Sequence, residues 1–192
     1  MEKRRREIEI TQAVSNAIIN SSFKVYFQPI YSLKEKRYTK MEALVRLIDE
    51  NLGFIPPDEF IPIAEKNGDI LAIGEIVLEK VCAFIEEYHP EDYGIKSIHV
   101  NLSVVQCMQE NIGIRLLNII DKYKIPHGLI DFEITESTAD NSSENLDKIM
   151  DDFNKKGIDF SLDDYGTGYS NQSNLMRYPY SIVKIDKYLV WA

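Results

Sequence analysis

The chain has 192 residues, 44% of them hydrophobic and 28% charged, which suits a single globular domain with one sizeable core. Its formal net charge of −9 would repel a nucleic-acid backbone, which argues against a nucleic-acid polymer as partner and leaves small anionic ligands open. The two cysteines lack zinc-binding spacing, and no run of about 18 apolar residues occurs. These features predict a cytoplasmic protein with reduced thiols and no membrane segment in this chain.

The apolar pattern predicts a lead-in helix over residues 1–20, followed by strands and helices in alternation. Strand-like segments, rich in β-branched and aromatic residues, cover 23–32, 39–47, 96–103, 129–137, 158–164 and 181–186. Helical spacing covers 55–68, a long stretch from Ile70 to Tyr88, a stretch around Leu116 to Tyr123, a segment ending at Gly157 and a short polar segment at 170–178. Such alternation predicts parallel strands in a doubly wound sheet or a (β/α)8 barrel, and no G-x-G-x-x-G motif supports dinucleotide binding.

Polar residues stand near the end of each predicted strand, where a buried parallel strand is ordinarily apolar. They are Gln28, Glu42, Asn101, Glu133, Asp163 with Asp164, and Lys184. Because barrel active sites lie at the carboxyl ends of the strands, the oxygen atoms of this set are expected to converge. Crowded carboxylates repel unless protons or cations neutralise them; a hard divalent cation does this best, and oxygen ligands select Mg²⁺, Mn²⁺ or Ca²⁺ over zinc. Arg46 and Lys184 could then meet an anion, a combination that suits phosphoryl chemistry.

Five motifs follow one another in an order that resembles a known family. They are EALVR (42–46), NLS (101–103), FEITES (132–137), DDYGTGYS (163–170) and KID (184–186). The chain resembles the EAL domain family of cyclic di-GMP phosphodiesterases. The resemblance implies a modified (β/α)8 TIM-like barrel of the EAL type, an α/β fold. It also implies hydrolysis of cyclic di-GMP to linear pGpG with Mg²⁺ or Mn²⁺ as cofactor.

The resemblance further implies a role for individual residues. The implied metal ligands are Glu42, Asn101, Glu133 and Asp163, with Asp164 binding or bridging to a second metal. Catalysis would rest on Glu42 and on Lys184, which would orient and activate the attacking water. Gln28 and Arg46 would hold the substrate, Arg46 through a phosphate. Gly166 and Gly168 would allow a tight loop beside that phosphate.

Two family motifs, an EGVE-like segment with a metal-binding glutamate and a QGY-like segment near the substrate, do not occur in this sequence. The prediction is therefore a single EAL domain over residues 1–192 that is truncated at the C-terminus, lacks the last two strands and has impaired activity. Three explanations of the missing strands stay open. The chain is a truncated piece or gene fragment, a partner chain supplies the missing part, or the chain is a six-stranded remnant that pairs with itself. The alternative function is an inactive module that binds cyclic di-GMP or a protein. A homodimer and an upstream sensory or GGDEF-type module are the further partners considered.

Each residue also has a simpler interpretation when it is taken alone. An Asp-Asp-Tyr-Gly segment is often a turn with a capping aspartate, and a lysine at a strand end is often a solvated edge residue. His89, His99 and His127 have no mutual spacing that suggests a metal site, so we interpret them as packing or surface residues. The five ordered motifs together favour the functional interpretation of the polar set.

Overall fold

A curled, half-barrel sheet organises the chain, with helices packed along its outer face. The structure is a computed structural model and describes residues 2–140, 144–166, 175 and 178–191. The strands are β1 (Lys24–Ser32), β2 (Arg37–Asp49), β3 (Gly53–Ile55), β4 (Ser97–Asn101), β5 (Ile130–Thr135), β6 (Asp159–Tyr165) and β7 (Ile182–Ile185). All six predicted strands are therefore present, and β3 is a short addition.

The helices are α1 (Glu2–Ile19), α2 (Pro57–Asn67), α3 (Ile70–Tyr88), α4 (Val104–Cys107), α5 (Ile112–Tyr123), α6 (Glu136–Asp140), α7 (Glu144–Asn154) and α8 (Lys187–Val190), with 3-10 turns at Pro90–Tyr93 and His127–Leu129. The longer helices α1, α2, α3, α5 and α7 lie where apolar spacing predicts them, whereas the short helices α4, α6 and α8 were not predicted. Proline suits the first turn of α2, and Gly68 ends that helix in the left-handed conformation at φ 86°. The polar helix predicted at 170–178 falls mostly outside the described residues. No helix in the described part of the chain has the length and hydropathy of a membrane span.

The sheet order is β1-β2-β4-β5-β6-β7, with β3 paired to β2. From β2 onward the neighbours along this path are parallel, as the alternation predicts. The expectation that all strands are parallel is wrong for β1, which pairs antiparallel with β2. Only residues 33–36 join these two strands, and so short a connection permits a hairpin but no crossover helix.

The two faces of the sheet differ in chemistry because successive strand residues point to opposite sides. The outer face is apolar, and Phe132 and Phe160 pack against Phe153 of α7 with ring centroids 5.6 and 5.9 Å apart. The inner face is polar in the same strands, where His99 neighbours Glu42 and Asp131 in register. The apolar core thus lies between sheet and helices, and the inner face is left to carry polar groups.

Both cysteines are buried in helices of this core, Cys82 in α3 and Cys107 in α4. Burial raises the pKa of each thiol to about 12. We expect neither thiol to react with Ellman's reagent in the native protein at about pH 8, because the reactive species is the thiolate. Both thiols should react in denaturant. Rapid labelling of the native chain, followed by absorbance, would contradict the burial of these helices.

Candidate metal centre

Three carboxylates from three strands meet on the inner face of the sheet. Glu42 comes from β2, Glu133 from β5 and Asp163 from β6, and one oxygen atom of each lies within 4.8 Å of the others. Glu133 is fully buried, whereas Glu42 and Asp163 are partly exposed. Like charges at this spacing repel, so the cluster requires a neighbouring cation.

The ammonium group of Lys184 lies among these carboxylates. Its Nζ donates to Glu42 Oε2 at 2.8 Å and to Glu133 Oε2 at 2.6 Å, and lies 3.8 Å from Asp163 Oδ2. Burial opposes the charge of Lys184, but hydrogen bonds to Glu133 and Glu42 and the charges of Glu133 and Asp163 outweigh burial and raise the pKa of the ammonium. Lys184 therefore stays charged and compensates part of the negative charge of the cluster.

The pKa of Asp163, the third carboxylate of the cluster, is raised. Burial raises the pKa of its carboxyl group, the charge of Lys184 lowers it, and the charge of Glu133 raises it further. The net pKa lies above that of a free aspartic acid. Asp163 consequently keeps its proton to a higher pH, and a divalent cation that binds there would displace this proton.

The amide residues of the predicted set lie beside the carboxylates. Asn101 ends β4, and its Nδ2 donates to Glu42 Oε1 over 3.3 Å. Gln28 is exposed and stands opposite Glu42 in the β1–β2 pairing. The prediction that Gln28 and Glu42 end their strands is wrong, because both lie within longer strands of the hairpin. Glu42 still reaches the cluster, and Gln28 is its partner in the strand pairing.

Arg46 borders a cavity of about 510 Å³ that opens next to the carboxylates. Asn101, Glu133 and Asp164 also line this cavity. The Arg46 guanidinium donates through Nη1 to the carbonyl of Val45 at 2.9 Å and lies 5.8 Å from the ring centroid of Tyr26. A cationic group thus stands at the wall of a mostly apolar cavity that Glu133 and Asp164 also line, and the volume suits a small-molecule ligand.

Asp164 lies within β6, at an irregularity in the pairing of β6 with β7 between Leu162 and Tyr165. Its φ of 55° places the backbone in the left-handed region, which aspartate tolerates better than most residues. The turn begins at Gly166, which has φ 99° and whose N–H donates to Glu136 Oε2 at 3.1 Å. Asp164 thus lines the cavity while Asp163 stays with the carboxylates. Gly168 lies outside the described residues.

Two residues of the site carry no role in the sequence analysis. Glu136 belongs to the FEITES motif, and its burial and its bond to Gly166 were not anticipated. His99 was interpreted as a packing or surface residue, yet its Nδ1 lies 2.5 Å from Glu133 Oε1. The available signal was its position two residues before Asn101, which places both side chains on one face of a strand.

The donor set can be tested against the cation that the sequence implies. Carboxylate oxygens from Glu42, Glu133 and Asp163, with the amide of Asn101 beside them, are ligands that hard divalent cations prefer. The partly exposed Glu42 and Asp163 and the adjacent cavity give such an ion access. The residues fit a metal ion. Fold and site together define a barrel-type α/β protein with a carboxylate centre that could hold a divalent cation.

The family follows from comparison with known sequences. The EAL domain profile matches residues 11–191, and the chain belongs to the EAL domain family. The signaling protein YkoW of Bacillus subtilis is 33% identical over 171 residues, which are 89% of this chain and 21% of YkoW. The cyclic di-GMP phosphodiesterase PdeR of Escherichia coli is 30% identical over 174 residues, 91% of this chain and 26% of PdeR. The chain thus spans about a fifth to a quarter of these relatives.

Solved structures agree with this family assignment. The PaMucR phosphodiesterase, in complex with c-di-GMP, superposes with a TM-score of 0.87 at 29% identity over 95% of this chain and 74% of that chain. The FimX EAL domain of Pseudomonas aeruginosa, bound to c-di-GMP, has a TM-score of 0.84 at 20% identity over 94% of this chain and 72% of that one, a likeness of fold alone. The predicted α/β fold of the EAL barrel type is confirmed.

Proposed function

We propose that this chain is a metal-dependent phosphodiesterase domain that hydrolyses cyclic di-GMP to linear pGpG. The observation that carries the proposal is the convergence of Glu42, Glu133 and Asp163 around Lys184, beside a cavity bordered by Arg46. The name of PdeR and the complex of PaMucR with c-di-GMP support the choice of substrate.

The proposed cofactor is Mg²⁺ or Mn²⁺, held by Glu42, Glu133, Asp163 and Asn101, with Asp164 available to a second ion. A bound divalent ion supplies charge at the phosphate and lowers the pKa of a coordinated water. The raised pKa of Lys184 makes its ammonium a hydrogen-bond donor, so it orients the water rather than accepting its proton. Glu42, bonded to both Lys184 and Asn101, presents an acceptor to the same water.

The substrate would be held on the cavity side of the carboxylates. Arg46 offers its guanidinium to a phosphate oxygen, and Gln28 offers an exposed amide from the facing strand. Attack of water on phosphorus breaks one P–O3′ bond, leaving a 3′-hydroxyl and a 5′-phosphate. The product is linear pGpG.

A second candidate function is a module that binds cyclic di-GMP without turnover. The observation in its favour is Lys184, whose ammonium already donates to Glu42 and Glu133 and so compensates the cluster from within the chain. A site balanced in this way could bind a nucleotide through Arg46 and Gln28 alone. This alternative predicts nucleotide binding that is independent of divalent ions.

The two functions separate in a single experiment on the purified chain. Cyclic di-GMP is incubated with the protein and Mn²⁺, pGpG is followed by chromatography, and nucleotide binding is measured by calorimetry with and without EDTA. We expect pGpG to form with Mn²⁺ and not with EDTA. Binding without turnover in both conditions would favour the regulatory module, and the absence of both would overturn the assigned substrate.

We also propose that the domain works in the cytoplasm and is linked to a sensory or GGDEF-type module. The bifunctional diguanylate cyclase/cyclic di-GMP phosphodiesterase MucR of Pseudomonas aeruginosa supports the second point, because the match to this chain covers 26% of it. A homodimer stays a prediction.

Arg46 gives a direct test of substrate binding. We expect Arg46→Ala to weaken cyclic di-GMP binding about 10- to 100-fold, because a charged hydrogen bond contributes about 1.5–3 kcal/mol. Arg46→Lys should restore only part of the affinity, since an ammonium lacks the bidentate geometry of guanidinium. Calorimetry of nucleotide and of Mn²⁺ binding separates the two ligands, and Mn²⁺ affinity should not change. Arg37→Ala is the control, because Arg37 pairs with Glu35 on the exposed surface. Unchanged nucleotide affinity in Arg46→Ala would exclude this role.

A further inference from the structure

His99 is a fully buried histidine between two buried carboxylates on the inner face of the sheet. Its Nδ1 lies 2.5 Å from Glu133 Oε1, and its Nε2 lies 3.8 Å from Asp131 Oδ2. The three side chains have 0–1% of their surface exposed. Asp131 and Glu133 are alternate residues of β5 and so share one face, against which the imidazole of β4 rests.

The direction of the hydrogen bond follows from the second partner of Glu133. Lys184 Nζ lies 2.6 Å from Glu133 Oε2 and 2.5 Å from Glu133 Oε1, so the ammonium donates to the carboxylate and Glu133 is an acceptor. Oε1 also faces His99 Nδ1, which therefore carries the proton and donates. Glu133 Oε1 is thus shared by Lys184 and His99, and among these two donors Oε2 meets Lys184 alone.

Asp131, the second carboxylate beside His99, is also held by neighbouring side chains. Asp131 Oδ2 accepts from Ser181 Oγ at 2.8 Å and lies 3.8 Å from Lys40 Nζ. Ser181 Oγ in turn lies 3.2 Å from Ser161 Oγ of β6. Asp131 is therefore tied to β2, β6 and the start of β7, and the imidazole packed beside it has little freedom to rotate.

We propose that His99 is a positioning residue that sets the orientation of the Glu133 carboxylate toward the metal ion. The inference rests on the proposed function for the presence of that ion. The terminal torsion of a glutamate is broad, so a carboxylate without fixed partners samples many orientations. Lys184 meets the carboxylate from one side, and the Nδ1 bond of the buried imidazole restricts its rotation further. Loss of such a supporting bond ordinarily lowers metal affinity about 10- to 100-fold.

A pair of amide substitutions tests which ring nitrogen matters. Asn places its amide near the position of Nδ1, whereas Gln places its amide near that of Nε2. We expect His99→Asn to keep Mn²⁺ affinity within about threefold of wild type, and His99→Gln to lose about 10- to 100-fold. Mn²⁺ affinity is measured by electron paramagnetic resonance of the free ion, without nucleotide and therefore independently of turnover.

Val100→Ala is the matched structural control, because Val100 is buried and follows His99 in the same strand, so its side chain points to the opposite face. It should lower thermal stability while leaving Mn²⁺ affinity unchanged. Equal affinity in wild type and His99→Gln would overturn the proposal, and so would a loss of affinity in Val100→Ala as large as that in His99→Gln. Failure of the wild type to bind Mn²⁺ would overturn this inference together with the metal centre. Mn²⁺ binding without hydrolysis would overturn only the proposed reaction, and the comparison of variants would still decide the role of His99.

Discussion

Asp163→Asn is expected to lower the rate of cyclic di-GMP hydrolysis about a thousandfold or more, because it removes one of the three carboxylates proposed to hold the metal ion. The same substitution should weaken Mn²⁺ binding. In the wild type, the raised pKa of Asp163 makes the proton compete with the metal. Mn²⁺ affinity should therefore increase as pH rises through the pKa of Asp163 and level off above it. In Asp163→Asn this dependence should be flatter, since the competing proton is absent.

The matched control for this prediction is Asp159→Asn. Asp159 starts the same strand on the same face but is exposed and lies away from the carboxylate cluster. Initial rates of pGpG formation and Mn²⁺ titrations over a pH series would measure both effects. Hydrolysis by Asp163→Asn at the rate of the Asp159→Asn control would show that the carboxylate cluster is not the catalytic centre.

Lys184→Met is expected to separate catalysis from metal binding. Loss of the donor that orients the water should lower the rate about a hundredfold or more, the range seen for positioned proton and hydrogen-bond partners. Mn²⁺ affinity should be equal to or higher than that of the wild type, because a cation that repels the metal has been removed. A residue that binds metal would show a loss of affinity instead.

Lys184→Met should also lower the free energy of unfolding of the metal-free chain. Without Lys184 the carboxylates are left uncompensated, and the partial exposure of the cluster limits the cost to about 2 kcal/mol. Urea unfolding in EDTA should therefore show a lower free energy of unfolding for Lys184→Met, and Mn²⁺ should restore most of it. Lys187→Met, at an exposed lysine of α8, is the control. Full activity in Lys184→Met would refute the role assigned to the ammonium.

The parallel part of the fold could be predicted because each strand and helix has its own pattern. The apolar spacing of α3 and the alternation in β5 follow directly from the faces that they bury. The antiparallel pairing of β1 could not be predicted from alternation, because it depends on the short connection at 33–36. The three-residue strand β3 was also missed, since so short a segment has no detectable period.

The candidate site could be predicted from polar residues in strand segments that are otherwise apolar. Glu42, Glu133, Asp163, Asn101 and Lys184 stand out as polar residues in buried segments, and the structure brings these five together. Their metal-binding and catalytic roles stay predictions. His99 was missed because a buried histidine in sequence resembles any core residue, and only the fold shows that Glu133 faces it. The left-handed backbone of Asp164 within β6 is likewise a feature that residue types suggest only weakly.

The central claim is that Glu42, Glu133 and Asp163 hold a divalent cation. Crystals of the wild-type chain grown with Mn²⁺ and measured at the manganese absorption edge test it most directly, because the anomalous signal locates the ion itself. We expect a peak about 2.1 Å from oxygen atoms of all three carboxylates, the distance of a hard divalent cation in a small site. A well-diffracting crystal whose anomalous map has no peak among these three residues would contradict the claim. A Mn²⁺ peak at another cluster instead would contradict it too.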